Sequence, residues 1–180
     1  GLSISNKTKK GWAVPHQFKI RQYYNKSGFN EFFMTTNEQV LIMAIERDGT
    51  NGGRDLYVCF NEGNGIWSKP KNMGRTLNTE GTEMSPFLAP DGMTLYFSST
   101  GHPGYGQNDI FISRRLDNSW KNWSKPQNIG KPINGPGIDS YYSVPASGEF
   151  AYFVSTGQGN TTDIFKIKLP EKIKPKPVVI

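Results

Sequence analysis

A chain that repeats itself at a fixed period folds as a stack of like units, because one short unit cannot bury its apolar faces alone. Four markers recur in one order along these 180 residues. Gly11-Trp12-Ala13-Val14-Pro15 aligns with Ile66-Trp67-Ser68-Lys69-Pro70 and Asn122-Trp123-Ser124-Lys125-Pro126, with tryptophan spacings of 55 and 56. A turn dipeptide follows: Asn37-Glu38, Asp91-Gly92, Ser147-Gly148. Then comes an apolar run: 40–44, 95–99, 150–154. An Asp-aliphatic-aromatic triplet closes the set, at Asp55-Leu56-Tyr57, Asp109-Ile110-Phe111 and Asp163-Ile164-Phe165, 54 residues apart both times.

Each unit reads as four short strands, rich in aromatic or β-branched residues and bounded by Gly, Pro, Asn or Asp. In the second unit they fall at about Glu83–Ala89, Thr94–Ser99, Asp109–Arg115 and Trp123–Asn128. Ala89-Pro90-Asp91-Gly92 reads as a tight hairpin turn. Gly101–Asn108 reads as a longer loop, too glycine-rich for a helix. Gly and Pro together supply 20 and 12 residues, which excludes long helices, while 23 aromatics exclude a disordered chain. The middle strands are apolar on both sides, as sheets wedged between neighbours require. The expected fold is all-β, a partial β-propeller of about three four-stranded antiparallel blades over 11–65, 66–121 and 122–170. Residues 1–10 form an N-terminal basic segment, and 171–180 a Lys/Pro-rich linker toward a next domain. The third unit lacks a fourth strand, and the chain opens on an unpaired strand-four segment, Trp12–Ile20. In the last strand Ile164, Lys166 and Lys168 share one face, which points to a blade without a full neighbour there. That count fits a piece of a longer propeller, a pair of chains completing a ring as a homodimer, or a partial array with exposed edges.

Charge and cysteine usage narrow the partners. Of the net +6, Lys7, Lys9 and Lys10 supply +3 and residues 171–180 a further +2, leaving +1 on the central 160 residues. No basic stripe on the folded body is implied, so nucleic acid is not an expected partner. No run approaches the roughly 20 apolar residues of a membrane helix. Cys59 is alone and reads as a buried thiol in a strand, and one Cys with His16 and His102 makes no zinc cluster.

Certain stretches resemble a known family. Glu83-Met84-Ser85-Pro86-Phe87-Leu88-Ala89-Pro90-Asp91-Gly92-Met93-Thr94-Leu95-Tyr96-Phe97-Ser98-Ser99 resembles the WD-like repeat shared with the TolB propeller. Together with Gly101–Phe111 and Trp123-Ser124-Lys125-Pro126-Gln127-Asn128-Ile129-Gly130, it resembles the propeller region of OmpA-type, peptidoglycan-associated outer-membrane proteins of Bacteroidetes-like bacteria. The resemblance covers about residues 11–170 and is weaker in the first unit, where Asn37-Glu38 replaces Asp-Gly. It implies a periplasm-facing, outer-membrane-associated location. It also implies docking to another envelope protein, as the TolB propeller docks a peptidoglycan-associated lipoprotein, and more remotely a place in a type IX secretion assembly.

No sequence signal for catalysis, cofactor or metal stands out. There is no Gly-x-Ser-x-Gly elbow, Walker loop or His-Glu-x-x-His. Glu80, Glu83 and Asp139 offer paired carboxylates, but Glu83 and Asp139 occupy equivalent repeat positions, which favours a structural role. Asp48, Asn51 and Asp55, or Asn108 and Asp109, offer oxygens to calcium. Recurrence of Asp55, Asp109 and Asp163 instead favours aspartates that accept backbone N–H bonds and fix the preceding loop. Trp12, Trp67 and Trp123 read as the matching structural tryptophans. The longer loops share one face and carry the candidate partner-binding residues His102, Tyr105, Gln107, Glu80, Tyr23 and Tyr24. The expected function is a non-catalytic protein-binding scaffold. The alternatives are a carbohydrate-binding or glycan-active propeller using Tyr, Trp and carboxylates in a central pocket, and a structural spacer.

Overall fold

The computed structural model describes residues 2–145, 147–157 and 161–175. Among them the chain is all-β, with a single 3-10 turn at Glu171–Ile173. Three antiparallel sheets carry the body. In the first, Glu31–Met34, Val40–Ile45, Asp55–Phe60 and Lys71–Asn72 lie side by side in chain order. The second repeats this with Glu83–Leu88, Thr94–Ser99, Asp109–Arg114 and Gln127–Asn128. The third has Asp139–Ser143, Phe150–Ser155 and Asp163–Lys168, and no fourth strand among the described residues. The triplet aspartates set one register throughout: Ile45 faces Asp55, Ser99 faces Asp109, Ser155 faces Asp163.

Strand alternation sends every second side chain to the opposite face, and both faces of the first two sheets are buried. Ile42, Ala44, Leu56 and Val58 of the first sheet share a core with Leu95, Phe97 and Phe111 of the second. On the second sheet's other face, Tyr96, Ile110 and Ile112 share a core with Ala151, Phe153 and Tyr142 of the third. The first sheet's remaining face, Leu41, Met43, Tyr57 and Cys59, is covered by Leu2, Phe18, Ile20 and Tyr23 from the N-terminal segment. The third sheet's corresponding outer face holds Phe150, Tyr152, Val154, Ile164 and Lys166. There the Lys166 ammonium lies 3.9 Å from the Phe150 ring centre, and Ile164 is 78 % exposed.

Backbone clamps join sheet to sheet. The Glu83 N–H donates to the Arg54 carbonyl at 2.8 Å, and one repeat later the Asp139 N–H donates to Asn108 at 2.8 Å. At Gly52 a Cβ would come 2.4 Å from the Glu80 and Gly81 backbone, and at Gly106, 54 residues on, 2.4 Å from the Gly135 carbonyl. Only glycine lets these loops approach so closely.

A second device closes each outer edge. Asn78 accepts the Leu56 N–H (2.8 Å) and donates to its carbonyl (3.1 Å), and Asn134 does the same for Ile110 (2.9 and 2.8 Å). A carboxamide thus continues the edge past the two-residue fourth strand, beside the Met73 and Ile129 N–H groups that donate to the same carbonyls. Each is braced by Asn72 or Asn128, six residues earlier.

Parts of the sequence expectation change. The segment Trp12–Ile20 is not one strand. Ser3–Ile4 pairs with His16–Gln17, Lys7–Thr8 with Gly11–Trp12, and Lys19–Ile20 runs parallel to Ile66–Trp67. Pro15 divides the segment, and among the described residues Trp12 packs on no three-stranded sheet. Trp12 is therefore 72 % exposed, whereas Trp67 and Trp123 are 3 % and 4 % exposed. Asp163 keeps its register but is exposed, unlike buried Asp55 and Asp109. The expected linker begins packed rather than extended: Ile173 is buried, its carbonyl accepts the Tyr96 hydroxyl, and the Lys174 carbonyl accepts Arg114 Nη2 at 3.3 Å. Residues 176–180 of that linker, and 158–160 of the loop before Asp163, lie outside the described residues.

Asn134→Ala leaves the buried Ile110 N–H without its partner, while the Ile110 carbonyl keeps the Ile129 N–H at 3.2 Å, at a cost of about 1–3 kcal/mol for the orphaned group. We expect a loss of about 2 kcal/mol by urea unfolding, and near-neutral behaviour for Asn118→Ala in the exposed turn.

Candidate functional site

The loops that join second to third strands, and those that lead from one sheet to the next, meet on one side of the molecule. The Gly53 N–H donates to Gly81 O (2.7 Å), and the Gln107 N–H to Gly137 O (3.1 Å). The six residues expected to bind a partner lie on this side but do not form one site. Tyr23 is half-buried against the first sheet, and burial raises its hydroxyl pKa. The Tyr24 hydroxyl accepts the Asp48 N–H at 3.0 Å, and the Arg47 guanidinium sits 4.4 Å from its ring centre. His102 is a packing residue: Nε2 lies 2.9 Å from the Leu77 carbonyl, and its ring rests against Phe97 and Phe111. Glu80, Tyr105 and Gln107 remain exposed, with the Lys131 ammonium 5.9 Å from the Tyr105 ring centre.

The recurring carboxylates hold loops. Asp55 Oδ2 accepts the Asn51 N–H (3.0 Å) and Asn72 Nδ2 (2.8 Å). Asp109 Oδ2 accepts the Tyr105 and Gly106 N–H groups (2.8 and 3.1 Å), and Asp139 Oδ2 the Gly135 N–H (2.7 Å). Fully buried Glu83 accepts the Thr79 N–H, the Thr79 hydroxyl and the Ser99 hydroxyl at 2.9, 2.7 and 2.7 Å. Burial pushes the Glu83 carboxyl above its ordinary pKa, against those hydrogen bonds and the nearby His102; burial likewise raises Asp55. Asp48 pairs with Lys26, and no group of three or more His, Cys, Asp or Glu among the described residues is placed to hold a metal ion. Burial pushes the Cys59 thiol up to about 12, which disfavours the thiolate form.

A different cluster, not singled out by the sequence, lies where the first strands of the three sheets converge. Glu31 opens the first sheet, and its Oε2 accepts both the N–H and the hydroxyl of Ser85 from the second. Its Oε1 accepts the Tyr141 hydroxyl of the third at 3.0 Å, with Arg54 Nη1 at 3.6 Å. Phe29 lies 6.0 Å from the Arg54 guanidinium, ring centre to Cζ. Ser85 and Tyr141, 56 residues apart, both take left-handed backbone (φ 50° and 53°) inside bulges of their strands. The bulge turns Tyr141 out to 55 % exposure beside a cleft of about 140 Å³ lined by Glu31, Phe87, Tyr141 and Ser143. The sequence signal was the matched pair Ser85 and Tyr141, each two residues after Glu83 and Asp139. Glu31 has no counterpart at that spacing and gave none.

No protein-family model matches the chain, and no curated protein does. Among solved structures it is similar to an α-L-arabinofuranosidase from Lactobacillus brevis at 13% identity and a TM-score of 0.46. The match covers 94% of this chain and 62% of that one, so the chain spans under two thirds of its length.

Because the folded pKa of Glu83 is raised, its contribution to stability is present below the ordinary carboxyl range and is lost as pH rises through the shifted value. Glu83→Gln does not titrate. The melting temperature of the variant minus that of the parent should therefore climb between pH 4 and pH 7; a flat difference would contradict the burial assignment.

Proposed function

We propose that the three sheets are consecutive blades of a β-propeller segment, and that the segment is a non-catalytic, protein-binding scaffold of a bacterial cell-envelope protein, outer-membrane-associated and facing the periplasm. The observation that supports this best is the fate of the carboxylates. Glu83, Asp139, Asp55 and Asp109 sit buried at repeat positions and bind the chain's own N–H and hydroxyl groups. A rigid body so built presents loops and a few exposed side chains, chiefly Glu80, Tyr105 and Gln107 on the loop face. Compartment and the envelope-protein partner rest on the sequence resemblance.

A carbohydrate-binding role is the second reading, favoured by the exposed Tyr141 ring beside Glu31, Arg54 and Ser85. An aromatic platform flanked by a carboxylate and a guanidinium suits vicinal hydroxyls.

Two measurements separate the readings. The immobilised chain should retain one envelope protein stoichiometrically from outer-membrane and periplasmic extracts, and Tyr105→Ala combined with Gln107→Ala should release it. On a glycan panel it should show neither millimolar binding nor turnover. A sugar bound at millimolar or tighter concentration, lost in Tyr141→Ala, would favour the second reading, and turnover of that sugar would end the scaffold proposal.

A further inference from the structure

In the first two sheets a single segment wraps the outer edge of the third strand. It has the pattern Trp-x-x-x-x-Asn-aliphatic-Gly-x-x-aliphatic-Asn, with Met73 in the first aliphatic place of Trp67–Asn78 and Ile129 in that of Trp123–Asn134. Its tryptophan buries the aromatic of the triplet: Trp67 lies in one core with Tyr57, and Trp123 in one core with Phe111. Its two aliphatic residues bury the triplet's aliphatic residue from the other face. Met73 and Leu77 share a core with Leu56, and Ile129 and Ile133 share one with Ile110. Its last Asn binds that residue's outward N–H and carbonyl.

The third sheet has the same edge without the segment. Ile164 and Phe165 are 78 % and 41 % exposed, where Leu56, Ile110, Tyr57 and Phe111 are buried. Register places the Ile164 N–H and carbonyl outward, as at Leu56 and Ile110, and among the described residues nothing binds them.

We propose that the edge Asp163–Lys168 is an acceptor for a polypeptide segment of that pattern. The segment adds as an outer strand, sets its Trp on Phe165 and its aliphatics on Ile164, and clamps the Ile164 backbone with its final Asn. The interface continues, by the same step, the two already present in the chain. A second copy of the N-terminal segment is a poor occupant. Counting from Trp12, the two Asn positions hold Gln17 and Tyr23 and the Gly position holds Lys19. Phe18 and Tyr23 are also engaged on the first sheet. The inference stands on the internal repeat and does not depend on the envelope role proposed above.

The probe is a synthetic peptide of residues 119–135, titrated into the full chain and followed by anisotropy of a peptide label and by amide exchange. We expect saturable binding with new protection confined to 163–168, weakened about tenfold or more by Asn134→Ala in the peptide. Ile164→Asp in the protein should abolish it. Ile164 is exposed, so that variant keeps its fold, which unchanged protection of 94–99 and 109–114 would verify. No saturation at high micromolar peptide, equal affinity of the Asn134→Ala peptide, or indifference to Ile164→Asp would overturn the proposal. Self-association that blocks the peptide and vanishes in Trp12→Ala would overturn it in favour of a second copy.

Discussion

Simultaneous burial of both faces of a sheet is the constraint on which the rest of this molecule depends. A sheet with Ile42 and Leu56 on one side and Met43 and Tyr57 on the other has no face for water. It needs a neighbour on each side, and the chain supplies them by repeating itself. Hydrophobic contact alone does not fix how two sheets lie against each other. The clamps Glu83–Arg54 and Asp139–Asn108, and the glycine contacts at Gly52 and Gly106, set that relation.

The same economy governs the polar groups. Carboxylates beside the clamps hold loops through backbone N–H bonds, and asparagines complete strand edges through their carboxamides. Charges that would be reactive in a cleft are thereby buried in the scaffold. The exposed polar and aromatic groups lie on loops and at the convergence of the first strands, where Glu31 ties Ser85 and Tyr141 together.

The middle sheet was legible in the sequence because every local cue agreed there: strands apolar on both faces, a Pro-Asp-Gly turn, and an aspartate at the start of the third strand. Thr94–Ser99 falls where the pattern put it. The ends were not legible, since burial of a repeated residue depends on a neighbour that the residue itself does not encode. Trp12 matches Trp67 in sequence and differs wholly in exposure, as Asp163 differs from Asp109. Loop residues chosen for their chemistry separated for a similar reason. His102 looks like a ligand on paper, but Phe97, Phe111 and the Leu77 carbonyl claim it. The Glu31 cluster escaped notice because it joins three sheets across 110 residues, from Glu31 to Tyr141, and only its bulged members recur.

Native-state hydrogen exchange reads the central claim most directly at the amides that bond to the second strand, because there Asp109–Arg114 and Asp163–Lys168 share one register, while both faces are covered only in the former. If two-sided burial holds the structure together, the amides of 109–114 and 55–60 bonded to the second strand should exchange only through global unfolding, and the equivalent amides of 163–168 through local opening at far lower free energy. Uniform protection across the three strands would show that the ladder alone sustains each sheet, and would contradict the account.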